Sequence, residues 1–339
     1  DLHSFPTRRS SDLQLVGATG VVGSTFLKVL EDLDFPFENL YLMASSKSAG
    51  KIISFKGKDY VVEELTEASF NKDIDIALFS AGGSVSKKFA PVAASKGVVV
   101  VDNSSQWRMD KDVPLVVPEV NPRDIRKHQG IIANPNCSTI QAMVVLKPLR
   151  DAFGLKRVIY STYQAVSGSG VKGISDLKNG MKGNDTTLAY PHPIAGNCIP
   201  HIDVFSENGY TKEEMKMINE THKILGDETI KVTATTVRVP VFDSHSESIN
   251  IEFEKPFELE EVVRVLENAP GLIVQDDPEN NVYPLARSAA GKDEVYVGRI
   301  RRDFSVENGI NLWCVSDNIR KGAATNTVQI AQELLKFMD

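Results

Sequence analysis

The sequence predicts an α/β protein in two parts: a parallel sheet covered by helices, then an α+β domain around a substantial, largely antiparallel sheet. Three observations carry this. A chain of 339 residues exceeds what one hydrophobic core usually serves, so about two domains are expected. In the first third, apolar runs without polar alternation are separated by short helical segments, as in strands buried on both faces and joined by crossovers. Beyond Cys137 the pattern changes to Thr- and Val-rich and alternating segments.

The elements follow in order. Residues 1–12, including Ser4-Phe5-Pro6-Thr7-Arg8-Arg9-Ser10-Ser11, show neither helical nor strand periodicity. They are read as foreign sequence such as a tag scar, with a disordered native tail or a transit segment as alternatives, and are set outside the fold. Leu13–Val16 forms a short strand, Gly17-Ala18-Thr19-Gly20-Val21-Val22-Gly23 a glycine-rich turn, and Ser24–Leu30 a helix. Strand, glycine turn and helix open a Rossmann-type dinucleotide-binding unit, in which the backbone approaches a pyrophosphate at the helix N-terminus. The spacing is G-x-x-G-x-x-G in place of the commoner G-x-G-x-x-G, and a plain tight turn is the alternative.

The next strand, Asn39–Ala44, ends in Ser45-Ser46-Lys47-Ser48, where an NAD enzyme would place an acid for the ribose 2′-OH. Lys47 and Ser48 suit a 2′-phosphate and favour NADP; a solvated loop is the alternative. Strands at Ile74–Phe79 and Val98–Val101 flank a helix at Lys87–Ala94. In the second part, strands are expected at Arg157–Gln164, Ile230–Val239, Ser248–Phe253 and Glu294–Ile300, with Lys178–Phe205 a long Gly- and Pro-rich excursion serving as a lid or subunit contact. Val328, Ala331, Leu334, Leu335 and Met338 share a stripe on a C-terminal helix over Ala323–Met338.

Composition narrows the function. A net charge of −7 gives no general attraction to nucleic acid or anionic lipid, and no apolar run approaches the ~18 residues of a membrane span. The three cysteines, Cys137, Cys198 and Cys314, are far apart and lack a C-x-x-C, so neither a disulfide framework nor a zinc ribbon is indicated, and a reducing, cytoplasmic setting fits best. Cys198 and His201 are spaced closely enough for a metal pair, but no second pair complements them, and no metal is expected.

Asn134-Pro135-Asn136-Cys137-Ser138-Thr139 is the focal stretch. Pro135 disfavours helix before it and Asn136 is a good cap, so Cys137 sits at the first turn of a helix, where unpaired N–H groups favour a thiolate. A buried, inert thiol is the alternative. Gln164-Ala165-Val166-Ser167-Gly168-Ser169-Gly170 is a second glycine-rich turn after a strand, open to a nicotinamide or substrate. Arg238 ends a strand and suits a carboxylate, His245 follows a turn with a pKa suited to proton transfer, and Arg108 is placed for a second anion. Thr211-Lys212-Glu213-Glu214 opens a helix, on which Glu213, Lys216 and Glu220 share a face that reads from pattern alone as solvated.

Together, the glycine loop at Gly17–Gly23, the Asn134–Thr139 stretch, Gln164–Gly168 and Arg238-Val239-Pro240-Val241 with His245 resemble the bacterial-type aspartate-semialdehyde dehydrogenase family, from Leu13 to the C-terminus. The resemblance implies an NADP-binding domain over residues 13–135 and 322–339, and a catalytic and dimerisation domain over residues 136–321. It implies a homodimer that makes aspartate semialdehyde from aspartyl phosphate, by way of a cysteine thioester, for lysine, threonine, methionine and isoleucine synthesis. By position, Cys137 matches the nucleophile, His245 the acid/base and Gln164 the residue orienting the intermediate. Arg238 matches the α-carboxylate anchor, Glu213 the amino-group contact, and Arg108 and Lys216 the phosphate binders. Thr19, Gly20, Val21 and Val22 match the pyrophosphate loop, Lys47 and Ser48 the 2′-phosphate contact, Ser167 and Gly168 the nicotinamide side, and Asn326 a further cofactor contact. Lys47 stands where many relatives have Arg, which keeps the charge but loses the planar fork. An N-acetyl-γ-glutamyl-phosphate reductase and a catalytically silent dimeric paralogue are the alternatives.

Overall fold

A computed structural model describes residues 11–338; the reading of residues 1–10 as foreign lies outside them. The chain forms two compact units, one running to Asn134 and resumed from Ala324, the other Pro135–Ala323. Pro135, Gly322 and Ala323, grouped from sequence with the first domain, belong to the second.

The first unit holds β1 (Ser11–Val16), α1 (Val21–Asp32), β2 (Phe37–Ala44), β3 (Ile52–Phe55), β4 (Lys58–Val61), β5 (Glu63–Glu64), β6 (Ile76–Phe79), α2 (Gly83–Ser95), β7 (Val99–Asp102) and β8 (Ile131–Ala133). Its six-stranded sheet runs β5-β2-β1-β6-β7-β8, every pair parallel. Strands β6 and β7 are buried throughout, which is why they read as unbroken apolar runs. Strand order reverses at β1, between β2 and β6, so the loops leaving β1 and β6 diverge and open a crevice at their carboxyl ends.

The sequence pattern ends the tail at Asp12, but β1 begins at Ser11, which is buried and paired with Phe37, while the Asp12 amide donates to Asp75 at 2.8 Å. Those two polar residues were missed because they are held by ladder and side-chain hydrogen bonds, which leave no apolar signal.

The second unit holds α3 (Cys137–Phe153), β9 (Leu155–Gln164), α4 (Gly170–Gly180), α5 (Lys212–Leu225), β10 (Lys231–Arg238), β11 (His245–Phe253), α6 (Leu259–Glu267), β12 (Leu272–Val274), a short α7 (Ala286–Ala289), β13 (Val295–Asp303) and β14 (Gly309–Ser316). Its sheet runs β10-β9-β11-β14-β13-β12. The three inner pairs are antiparallel as expected, but both outer pairs, β9 with β10 and β12 with β13, are parallel. This mixture places the site. Because β9 and β10 run together, Gln164 and Arg238 end as register partners, and antiparallel β11 starts beside them at His245, opposite Ser316 where β14 ends.

Helix α3 is buried on nearly every side from Ser138 to Leu146, as an interior helix must be when it is apolar all round. The 178–205 excursion is fastened down rather than loose. Asp176 accepts hydrogen bonds from the Thr186 hydroxyl (2.6 Å) and the Leu188 and Ala189 amides (2.9 and 2.8 Å), and Tyr190, Ile194 and Ile199 pack with Val166 and Leu177. After a wide helical turn at Arg320–Thr325, α8 (Asn326–Leu335) returns to the first unit and buries Val328, Ala331 and Leu334 in its core.

Candidate active site

Helix α3 supplies the nucleophile candidate. Asn136 is in extended conformation and its Oδ1 accepts from the Ser138 and Thr139 amides at 3.0 and 3.4 Å, so Cys137 is the first helical residue and half-buried. There the helix dipole favours a thiolate. The opposite wall comes close: a Cβ built on Gly322 would lie 2.8 Å from the Cys137 Cβ, so only glycine fits.

The cap also reaches sideways. Asn136 Nδ2 donates to Glu213 Oε1 at 3.0 Å, the same oxygen accepts from Gln164 Nε2 at 3.0 Å, and the Asn136 amide donates to Glu220 Oε2 at 2.7 Å. Thr162 Oγ1 donates to Gln164 Oε1 at 3.0 Å, which fixes the orientation of the amide. Glu213 and Glu220 are buried, so the face of α5 that pattern alone read as solvated is turned inward; charge spacing gives no sign of a partner across the fold. Burial opposes ionisation of Glu213, but the Lys216 ammonium and the Gln164, Lys216 and Asn136 hydrogen bonds outweigh it and hold its carboxyl down at about 2. Lys216 lies 3.0 Å from Glu213 and 2.9 Å from Asp203. Burial works against its charge, yet these two carboxylates raise its pKa overall.

At the sheet end, Arg238 Nη1 donates to the Ala165 carbonyl at 2.5 Å while its buried Nε has no partner among the described residues. His245 is fully buried: its Nδ1 accepts from the Ala165 amide at 3.0 Å, and its Nε2 is unpartnered among the described residues. Burial first, then the Arg238 charge, push the imidazole down to about 3, against a smaller opposing pull from Glu213, so the ring is neutral. With Nδ1 accepting, its one proton is on Nε2. Gly168 flanks the ring, and a Cβ there would sit 3.1 Å from Arg238 Nη1 and 3.5 Å from His245 Nε2. Ser167 is buried beside it.

The remaining candidates belong to the first unit. Gly20 caps α1 without a side-chain hydrogen bond, so the amides after Val21 and Val22 are the open first turn of a helix. Thr19 Oγ1 donates to Ser48 Oγ at 3.4 Å, which joins the glycine loop to the turn carrying exposed Lys47. Arg108, buried, donates from Nε to the Asn134 carbonyl (2.9 Å) and from Nη2 to the Asn103 carbonyl (3.1 Å). Asn326 donates to Asn134 Oδ1 at 2.7 Å and to the Val116 carbonyl at 3.1 Å. The described residues contain no group of three or more His, Cys, Asp or Glu side chains able to hold a metal ion, and no helix long and apolar enough to cross a membrane.

Sequence reasoning missed Thr162, Gly322 and Asn318, and the reach of Asn136 beyond its cap. Thr162 acts on Gln164 two residues along β9, whereas Gly322 and Asn136 matter through partners on α3 and α5 that only the fold brings near.

Comparison with known proteins agrees with this architecture. Residues 12–128 match the family model described as semialdehyde dehydrogenase, NAD binding domain, and residues 146–321 the one described as semialdehyde dehydrogenase, dimerisation domain. An aspartate-semialdehyde dehydrogenase of Aquifex aeolicus is 61% identical over 330 residues, covering 95% of this chain and 97% of that one. The crystal structure of aspartate semialdehyde dehydrogenase II of Vibrio cholerae complexed with ASA superposes with a TM-score of 0.94 at 48% identity, covering 98% of this chain and all of that one. The Candida albicans enzyme with NADP superposes at 0.76 with 29% identity, covering 96% and 98%. The parallel sheet, the capped cysteine and the Gln164, Arg238 and His245 cluster thus sit in a chain that belongs to the aspartate-semialdehyde dehydrogenase family.

Proposed function

We propose that the protein interconverts aspartyl phosphate and aspartate semialdehyde through a thioester on Cys137, as an NADP-dependent homodimer. One observation carries the reading: Glu213 Oε1 accepts from both Gln164 and the Asn136 cap, so the nucleophile's helix and the sheet end bearing Arg238 and His245 meet at one carboxylate.

In the oxidative direction the Cys137 thiolate adds to the aldehyde carbon, forming a C–S bond and an oxyanion. Collapse of that oxyanion re-forms the carbonyl and breaks the C–H bond, the hydride leaving to a bound nicotinamide, which would supply the acceptor, so that Cys137 is left carrying the thioester. Inorganic phosphate attacks that carbonyl, the C–S bond breaks, and the sulfur leaves as thiolate with the acyl phosphate formed. Thiolate is both a strong nucleophile at neutral pH and a good leaving group, which a serine alkoxide is not. Neutral His245, with its proton on Nε2, donates a hydrogen bond to the oxygen on which charge collects; to take up a proton at Nδ1 it must first release the Ala165 amide. Gln164 orients the acyl group and Arg238 holds the α-carboxylate. Glu213, ionised, meets the substrate ammonium. Arg108 and Lys216 take the phosphate, Lys216 by exchanging Asp203 for it.

The open first turn of α1 at Thr19, Gly20, Val21 and Val22 suits a pyrophosphate, and Lys47 with Ser48 a 2′-phosphate. Ser167 and Gly168 would lie on the nicotinamide side, and Asn326 would add a further cofactor contact. The test is NADP reduction on adding aspartate semialdehyde and phosphate. Turnover is expected and should fall at least about 10³-fold in Cys137→Ala. A folded wild-type protein without turnover would indicate a silent paralogue.

A further inference from the structure

Two anomalies coincide just before His245. Ser244 has φ of +73°, a left-handed conformation costly for a residue with a Cβ, and its buried hydroxyl has no hydrogen-bond partner among the described residues. Such a residue persists only where its surroundings over-determine it. What fixes it is Asn318, itself buried, in the loop just after β14. Asn318 Oδ1 accepts from the Ser244 amide at 2.9 Å, and its Nδ2 donates to Ser167 Oγ at 3.0 Å.

Ser167 belongs to the turn that packs against the imidazole. That turn is already laced to the segment before His245: the Val166 amide donates to the Val241 carbonyl (2.8 Å), the Ser167 amide to the Phe242 carbonyl (3.0 Å), and the Ala165 amide to His245 Nδ1 (3.0 Å). These contacts join two loops that could still shift together. Asn318 adds support from a third segment, the loop after β14.

We propose that Asn318 is a positioning residue that locks the imidazole of His245 against Gly168, through its paired hydrogen bonds to Ser244 and Ser167. A small displacement of the ring changes where Nε2 points, and misplacement by about 1 Å can cost about 10²-fold in rate. The alternative, that Asn318 only holds the loop together, makes a different prediction. A structural anchor acts on everything nearby, whereas a residue acting through His245 loses its effect once the imidazole is gone.

The inference rests on the proposed role of His245, and the two fail separately. If wild-type protein turns over and His245→Ala alone slows it strongly, the underlying reading stands whatever Asn318 does. Asn318→Ala is then compared in the wild-type and His245→Ala backgrounds by single-turnover NADP reduction. In the wild-type background the rate should fall about 10²-fold with KM for the aldehyde nearly unchanged. In the His245→Ala background the further loss should be under about threefold. Equal losses in both backgrounds, or none in either, overturn the proposal. If Asn318→Ala does not fold, Asn318→Leu, which keeps the volume and removes the hydrogen bonds to both Ser244 and Ser167, is put through the same cycle with the same expectations.

Discussion

Within the second unit, burial sorts three ionisable side chains into different states. Glu213 has a lysine and amide donors around it and stays ionised; His245 has an arginine nearby and stays neutral. Glu247 is fully buried two residues along β11 on the same face as His245: burial chiefly, then the Glu213 charge, push its carboxyl well up, and a Gln141 contact only partly offsets this. Neither carboxyl oxygen makes a well-formed hydrogen bond with the described residues. The signs of the pH effects differ. The stability tied to neutral His245 is present above its unfolded pKa of about 6.5 and is lost as pH falls toward its folded value. That tied to protonated Glu247 is present below an unfolded pKa of about 4.3 and is lost as pH rises. Glu247→Gln, which keeps the shape and removes the charge, should therefore melt higher than wild type at pH about 8, by about 1 kcal/mol, with the gap closing toward pH about 4. Calorimetry across that range checks it; a gap that does not change with pH would show that Glu247 is not protonated in the fold.

Among the elements, α3 has the clearest division of labour. Its interior is apolar and its first turn polar, and Asn136 serves both as cap and as the donor that ties Glu213 to the helix. Asn136→Ala should cost about 1–2 kcal/mol of stability. It should also slow alkylation of Cys137 by iodoacetamide severalfold at neutral pH, since losing the cap frays the turn whose amides favour the thiolate. A melting temperature lowered with alkylation unchanged would detach the thiol's reactivity from the cap. This helix start was legible because Asn136 and Pro135 are local signals. The mixed sheet was only partly so. Strand β14, Gly309–Ser316, alternates inward Ile310, Leu312 and Cys314 with partly exposed Asn311 and Trp313, a usable signal that was overlooked. By contrast α4 carries three glycines and gives no helical expectation. The hairpin of β3 and β4 turns through Lys56 and Gly57, both at positive φ; a lysine there disguises a turn usually marked by Asn or Asp.

For the molecule as a whole, order along the chain and order in the sheet differ, and that difference decides what sequence can reveal. Gln164, Arg238 and His245 stood out singly through residue type and turn position, but their convergence depends on β10 lying parallel to β9 while β11 runs against it. No periodicity encodes which strand neighbours which. The family resemblance supplied the grouping; the register supplies its physical reason. Asn318 and Glu247 act through neighbours remote in sequence, so neither spacing nor resemblance exposed them, whereas Thr162 lies two residues before Gln164 on one face of β9, a period-2 relation that the sequence does carry. The account as a whole depends on a covalent bond to one sulfur, and the direct measurement is mass spectrometry of the protein quenched after mixing with aspartate semialdehyde and NADP in the absence of phosphate. An aspartyl adduct on the peptide carrying Cys137, discharged when phosphate is added, is the predicted result. Protein that turns over yet carries no adduct on Cys137, or carries it on exposed Cys198 instead, would contradict the account.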